Sequence, residues 1–187
     1  MLAKKQFINE DKRKVEYIDG VAYMMSLVET RHNRVGGNLY AIIHRFLRKK
    51  RCQVFYETTV VFDEKNHFIP DIMVVCDPSK IKDSFIEGAP DFVAEILSPS
   101  TRRRDLSIKR DAYEKFGVKE YWVIDPKAET VDVYTVEDGK FTMSGSYHNY
   151  TEGELQGLDE EDLAQAALPL KLSLYDELTV DLQEMFE

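Results

Sequence analysis

The sequence predicts an α/β (α+β) chain built on a mixed central β-sheet flanked by helices, with an N-terminal hairpin and an acidic C-terminal extension. Three observations predict it. Asp19-Gly20 and Asp138-Gly139 each separate two runs rich in β-branched and aromatic residues, and both pairs suit a type I′ turn, whose two central residues need positive φ. Between them, an apolar run at 91–97, a helical pattern ending at Phe116 and a second apolar run at 120–125 give the order strand, helix, strand. Such a crossover joins parallel strands, and the antiparallel hairpin around Asp138-Gly139 that follows makes the sheet mixed.

Val15-Glu16-Tyr17-Ile18 and Val21-Ala22-Tyr23-Met24-Met25 flank the first turn. From about Glu29 to Lys50, Val35, Leu39, Ile42, Ile43, Phe46 and Leu47 recur at helical spacing, although Gly36-Gly37 weakens the first turns. His32 lies seven residues before Leu39 and shares its face, either as a core or capping histidine or as a site residue. Residues 54–62 read as a strand, 63–67 as a polar turn, and the run 72–76, opened by Pro70-Asp71, as the partner strand. Residues 77–90 form a loop closed by Gly88-Ala89-Pro90. Ser98-Pro99-Ser100-Thr101 ends the next strand, with Ser100 or Thr101 as N-cap of a helix that Gly117 stops. Strands at 130–136 and 140–147 surround Asp138-Gly139, and a short helix at 159–167 precedes an amphipathic stretch with Leu174, Leu178, Leu182 and Phe186.

The chain of 187 residues can bury one sizeable core, so residues 1–150 are read as one domain and 151–187 as an extension packing on that domain or on a dimer partner. Met1 to Phe7 lack the apolar core of a signal peptide, and no later stretch is apolar for the roughly 18 residues of a membrane span. A soluble, cytoplasmic protein is expected. Cys52 and Cys76 lack CxxC spacing and suggest neither a zinc cage nor a disulfide framework, which leaves packing as their role. The net charge of −9 is unevenly placed: residues 151–187 carry 11 acidic side chains and one basic one, which leaves +1 for residues 1–150. Within that first part, cations cluster at Arg45, Arg48, Lys49, Lys50 and Arg51, and at Arg102, Arg103, Arg104, Lys109 and Arg110. Either cluster can meet phosphates or simply form a solvated helix face.

Chemistry concentrates on Asp91-Phe92-Val93-Ala94-Glu95-Ile96-Leu97, where Glu95 shares a strand face with Val93 and Leu97. Removing an unpaired carboxylate from water costs several kcal/mol, so Glu95 needs a partner. Asp71 opens a strand that can lie beside it. On the following helix, Leu106, Lys109, Ala112, Tyr113 and Phe116 fall on one face at 100° per residue, while Arg103, Arg104, Asp111 and Lys115 point away. Lys109 therefore points where the apolar residues point, with Asp105 four residues before it, as a site lysine or a snorkelling structural one. Two carboxylates on neighbouring strands suit Mg²⁺ or Mn²⁺, and a nearby lysine can stabilise charge on a phosphate.

Pro70-Asp71, Glu95-Ile96-Leu97-Ser98-Pro99-Ser100-Thr101, Asp105, Lys109, Tyr113, Gly117-Val118 and Glu120-Tyr121-Trp122-Val123-Ile124-Asp125-Pro126, with Tyr17-Ile18-Asp19-Gly20 and His32, resemble the Uma-type putative restriction endonucleases of the PD-(D/E)XK nuclease superfamily. The resemblance spans roughly residues 15–145 and implies a restriction-endonuclease-like core. It implies Asp71 and Glu95 as metal ligands and a catalytic lysine role for Lys109. Leu97 stands where the Glu-x-Lys motif has lysine, so the lysine resembles one moved to the following helix. His32, Glu57, Asp105 and Tyr113 are possible accessory residues, and Arg102, Arg103 and Arg104 are candidates for nucleic-acid contact. The expected activity is metal-dependent hydrolysis of phosphodiester bonds in nucleic acid, DNA before RNA, by a homodimer using no organic cofactor and no membrane. The alternative is an inactive nuclease-fold protein that binds nucleic acid or serves assembly.

Overall fold

The computed structural model describes residues 14–25 and 29–187; the reading of Met1 to Phe7 lies outside them. β1 (Val15–Ile18) and β2 (Val21–Met24) pair antiparallel, and Asp19 at φ 50° and Gly20 at φ 82° take the left-handed conformations their turn requires. α1 (Thr30–Leu47) comes next, then β3 (Gln53–Tyr56), β4 (Val60–Val61), β5 (His67–Phe68), β6 (Ile72–Val75), β7 (Ile86–Glu87) and β8 (Phe92–Ile96). The next helical segment comprises α2 (Arg102–Arg104), a π turn (Asp105–Lys109) and α3 (Arg110–Phe116). β9 (Glu120–Asp125), β10 (Thr130–Glu137) and β11 (Lys140–His148) complete the central part. The C-terminal extension holds α4 (Glu152–Leu155), α5 (Glu160–Ala166), β12 (Leu170–Lys171), β13 (Thr179–Val180) and α6 (Leu182–Phe186).

The central sheet runs β11-β10-β9-β8-β6-β3, with β8 and β9 parallel and every other pair antiparallel. A second sheet, β2-β1-β5-β4-β7, lies apart from it, and β12 pairs with β13. Side chains alternate across a strand, so the central sheet divides its apolar residues between two cores. One face carries Ile72, Val74, Phe92, Ala94, Ile96, Trp122 and Ile124 against Val35, Leu39 and Ile43 of α1 and against Leu172, Leu178, Met185 and Phe186 of the extension. The other carries Met73, Val75, Val93, Leu97, Tyr121 and Val123 against Tyr113 of α3 and Ile18, Val60, Phe68 and Ile86 of the second sheet. The site lies on this second face, between a helix and a sheet.

Local chemistry explains where the elements differ from the sequence reading. The strand expected over 54–62 is two strands in two sheets, because Glu57 turns the chain at φ 43°. Gly36 does not weaken α1 but admits it to the sheet: a Cβ there would lie 3.0 Å from Tyr56 Cε2 and 3.1 Å from Ile96 Cδ1. Cys52 and Cys76, read as separate packing residues, form a disulfide. Antiparallel register pairs Gln53 with Val75, which sets the two flanking cysteines opposite each other.

Candidate active site

Asp71 and Glu95 face each other across two neighbouring strands. The β6–β8 register pairs Ile72 with Ala94, so the next step along each strand brings Asp71 opposite Glu95, and alternation puts both on the face of Met73 and Val93. Asp71 Oδ2 accepts a hydrogen bond from the Ile96 amide at 2.7 Å and lies 3.3 Å from His32 Nε2, which α1 presents. Glu95 Oε1 accepts from the Tyr113 hydroxyl at 2.5 Å and contacts Lys109 Nζ at 2.7 Å. Tyr113 and Lys109 arrive four residues apart, a spacing that stacks them on one side of the helix.

Lys109 is 3 % exposed and forms a second short ion pair, with Glu16 Oε1 at 2.9 Å, while Asp105 Oδ1 lies 3.8 Å away. Glu16 comes from β1 and also accepts the Ile69 amide at 2.9 Å, which holds the chain just before Pro70-Asp71. Glu16 was missed from the sequence, although one signal was there: it shares a strand face with Ile18, and both are buried. Asp105 is 1 % exposed and its Oδ1 has no hydrogen-bond partner. Tyr121 donates to the Asp105 carbonyl at 3.0 Å.

The electrostatics derive from burial. Loss of water pushes the Glu95 carboxyl well above the usual carboxylate range, Lys109 opposes this, and the nearby Asp105, Asp71 and Glu16 charges add to it. Asp105 is raised by burial, again against the pull of Lys109. Burial alone would lower the Lys109 ammonium, but Glu16, Glu95 and Asp105 outweigh it and hold the proton firmly. For His32 burial also acts downward, and the Asp71 hydrogen bond and charge turn the net shift upward.

The other candidate residues lie at varying distances from this cluster. Glu57 ion-pairs with Lys14 and does not line the pocket around Asp71 and Glu95. Arg102 is engaged by Asp125 Oδ2 at 2.5 Å, and Arg103 is exposed. Arg104, placed on the outer face by an α-helical wheel, lines the pocket instead, with its guanidinium 4.9 Å from the Tyr23 ring centre. The π turn is the reason: one extra residue per turn rotates the α2 side chains by roughly 100° relative to those of α3.

Among the described residues no three His, Cys, Asp or Glu side chains form a ready-made metal set. The donor chemistry nonetheless suits a hard cation. The pocket gathers Glu16, Asp71, Glu95 and Asp105 around one buried ammonium, and it leaves Asp105 Oδ1 buried without a hydrogen bond. Asp71 Oδ1 and Glu95 Oε2 bond to no described residue, because the opposite oxygen of each takes the protein contacts. Two carboxylate oxygens completed by water are what Mg²⁺ accepts.

A mixed sheet flanked by helices, with acidic side chains and a lysine at the junction of two of its strands and a helix, fits a restriction-endonuclease-like protein. The chain belongs to the Uma2 family, described as putative restriction endonucleases, whose model matches residues 3–178. A crystal structure of a putative nuclease belonging to DUF820 from Anabaena variabilis superposes with a TM-score of 0.70 at 23% identity, covering 96% of this chain and 93% of that one. An uncharacterized Synechocystis protein is 26% identical over 136 residues, 71% of this chain and 72% of its own. Among the described residues no helix is long and apolar enough to cross a membrane.

Proposed function

We propose that the chain is an endonuclease that hydrolyses phosphodiester bonds of nucleic acid, DNA in first place, with a divalent cation held by Asp71 and Glu95. The observation that supports this reading is the facing pair itself: each carboxylate has one oxygen fixed by the protein, and its second oxygen takes no hydrogen bond from a described residue. Asp71 Oδ1, Glu95 Oε2 and the backbone of Ile96, which also lines the pocket, would hold Mg²⁺ or Mn²⁺. A cation there neutralises phosphate charge and makes a bound water more acidic. Lys109 fixes the Glu95 rotamer and brings a permanent positive charge to the place where negative charge grows on the phosphate. Tyr113 holds the same Glu95 oxygen from the other side, and His32 holds Asp71.

A second reading, a nuclease fold kept as a binding module, is favoured by one observation: Lys109 is fully enclosed and already paired with Glu16 and Glu95. The two separate in one experiment. Purified protein is incubated with plasmid and with single-stranded oligonucleotide in Mg²⁺ or Mn²⁺, and its melting temperature is followed as Mn²⁺ is added. The nuclease reading expects cleavage lost in Asp71→Asn, Glu95→Gln and Lys109→Met, and a Mn²⁺-dependent rise in melting temperature lost in the first two. Cleavage that survives all three substitutions would sink it.

A further inference from the structure

The pocket between Asp71 and Glu95 is too small for a nucleotide. Its free volume of about 20 Å³ accommodates an ion or a water, since one water needs roughly 10–15 Å³. The strand being cut must lie beside it. There, a cavity of about 260 Å³ shares His32 and Ser98 with the pocket in its walls. That size is close to the lower limit of small-ligand sites, roughly 300 Å³, and matches one nucleotide better than a base pair with two backbones.

The lining has the matching chemistry. Leu97, Pro99 and Pro126 supply apolar surface for the face of a base. Lys127 supplies positive charge, while Arg102 is paired with Asp125. The acid between them is already committed: Asp125 Oδ2 takes Arg102 at 2.5 Å, and Oδ1 takes the amides of Lys127 at 3.0 Å and Ala128 at 3.2 Å. Lys127 is exposed and pairs with no acid among the described residues, which leaves its ammonium for a phosphate. Glu29, also in the wall, offers an acceptor for the amino group of a base.

We propose that this cavity receives one unpaired nucleotide next to the phosphate that lies at Asp71 and Glu95, so that the substrate is single-stranded or locally unpaired nucleic acid. The proposal rests on the nuclease reading for its substrate but is tested without turnover. Binding of 2′-deoxyadenosine 5′-monophosphate to the full chain, without added metal, is measured by calorimetry beside inorganic phosphate and beside the Lys127→Glu and Pro99→Trp variants, the second of which fills the cavity from an exposed position. The expected result is nucleotide binding at least tenfold tighter than phosphate, weakened about tenfold in either variant, and a single-stranded oligonucleotide that competes better than the duplex of the same sequence. Equal binding of phosphate and nucleotide, absence of nucleotide binding, or duplex competing as well as single strand would each overturn it. Nucleotide binding lost in both variants, in a protein that cuts nothing, would keep the cavity and remove the nuclease; duplex cleavage without nucleotide binding would do the reverse.

Discussion

Replacing Lys109 with Met keeps most of the length of the side chain and its apolar stem but removes the one ammonium among Glu16, Glu95 and Asp105. The gross attraction lost is large. At 2.9 Å from Glu16 and 2.7 Å from Glu95, each ion pair is worth about 6 kcal/mol at an effective dielectric constant of 20. Most of that offsets the cost of taking three charges out of water, so the net loss on breaking the buried network is about 3–5 kcal/mol. The sign of its pH dependence is set by the carboxyls left behind. Burial already raises Glu95 and Asp105 above their ordinary values, and without the ammonium they rise further. A carboxyl raised in the folded state contributes stability that is present below its unfolded value and lost as pH climbs through the folded one. The deficit of Lys109→Met is therefore expected to be largest at pH 8 and to shrink as pH falls toward 5. Urea unfolding of both proteins at the two pH values measures it. A variant within about 1 kcal/mol of the parent at pH 8, or a deficit that grows on acidification, would refute the argument that this lysine neutralises buried carboxylates.

Three further outcomes are expected of the same structure. Arg104→Gln is expected to weaken oligonucleotide binding about tenfold or more, since a hydrogen bond to a charged group is worth roughly 1.5–3 kcal/mol, and to reduce the salt slope of binding by about one, because its buried Nε has no hydrogen-bond partner and its guanidinium lines the pocket; fluorescence anisotropy across salt concentrations checks both. A chain ending at residue 168 loses Leu170, Leu172, Leu178, Val180, Met185 and Phe186 from the core they share with α1. At roughly 1.5–3 kcal/mol each this matches or exceeds the whole stability of a domain, so circular dichroism should show no cooperative melting. Reducing the Cys52–Cys76 bridge opens a loop with a sequence separation of 24, and should lower stability by about 3–4 kcal/mol in urea unfolding with and without reductant.

The part of this site legible in the sequence was the part that local periodicity can carry. Asp71, Glu95 and Lys109 each stand out against an apolar strand or helix face, and alternation and helical phase put them on compatible faces, while the adjacency of the two strands was a condition that the β6–β8 register meets. Features that depend on long-range register were hidden. Glu16 is read from sequence as part of a hairpin and becomes a site residue only because β1 pairs with β5 through Tyr17 and His67, which carries it over the loop at Ile69. The disulfide required the β3–β6 register in the same way. The π turn has no composition signature either, and it alone moves Arg104 from the outer face into the pocket.

Glu16 also changes what kind of object the site is. Lys109 contacts the second sheet through Glu16, the central sheet through Glu95 and its own π turn through Asp105, so three elements that are separate in sequence meet at one ammonium. None of these carboxylates is comfortable in a dry interior without it, and the ammonium is equally uncomfortable without them. The charged groups are therefore satisfied only when the N-terminal hairpin, the central strand and the helix are docked together. A metal-binding pair built from Asp71 and Glu95 alone would need only β6 and β8, which already pair through their backbones. Adding Lys109 and Glu16 makes the geometry of Glu95 depend on the packing of the second sheet, and this ties the orientation of the site carboxylates to the completeness of the fold.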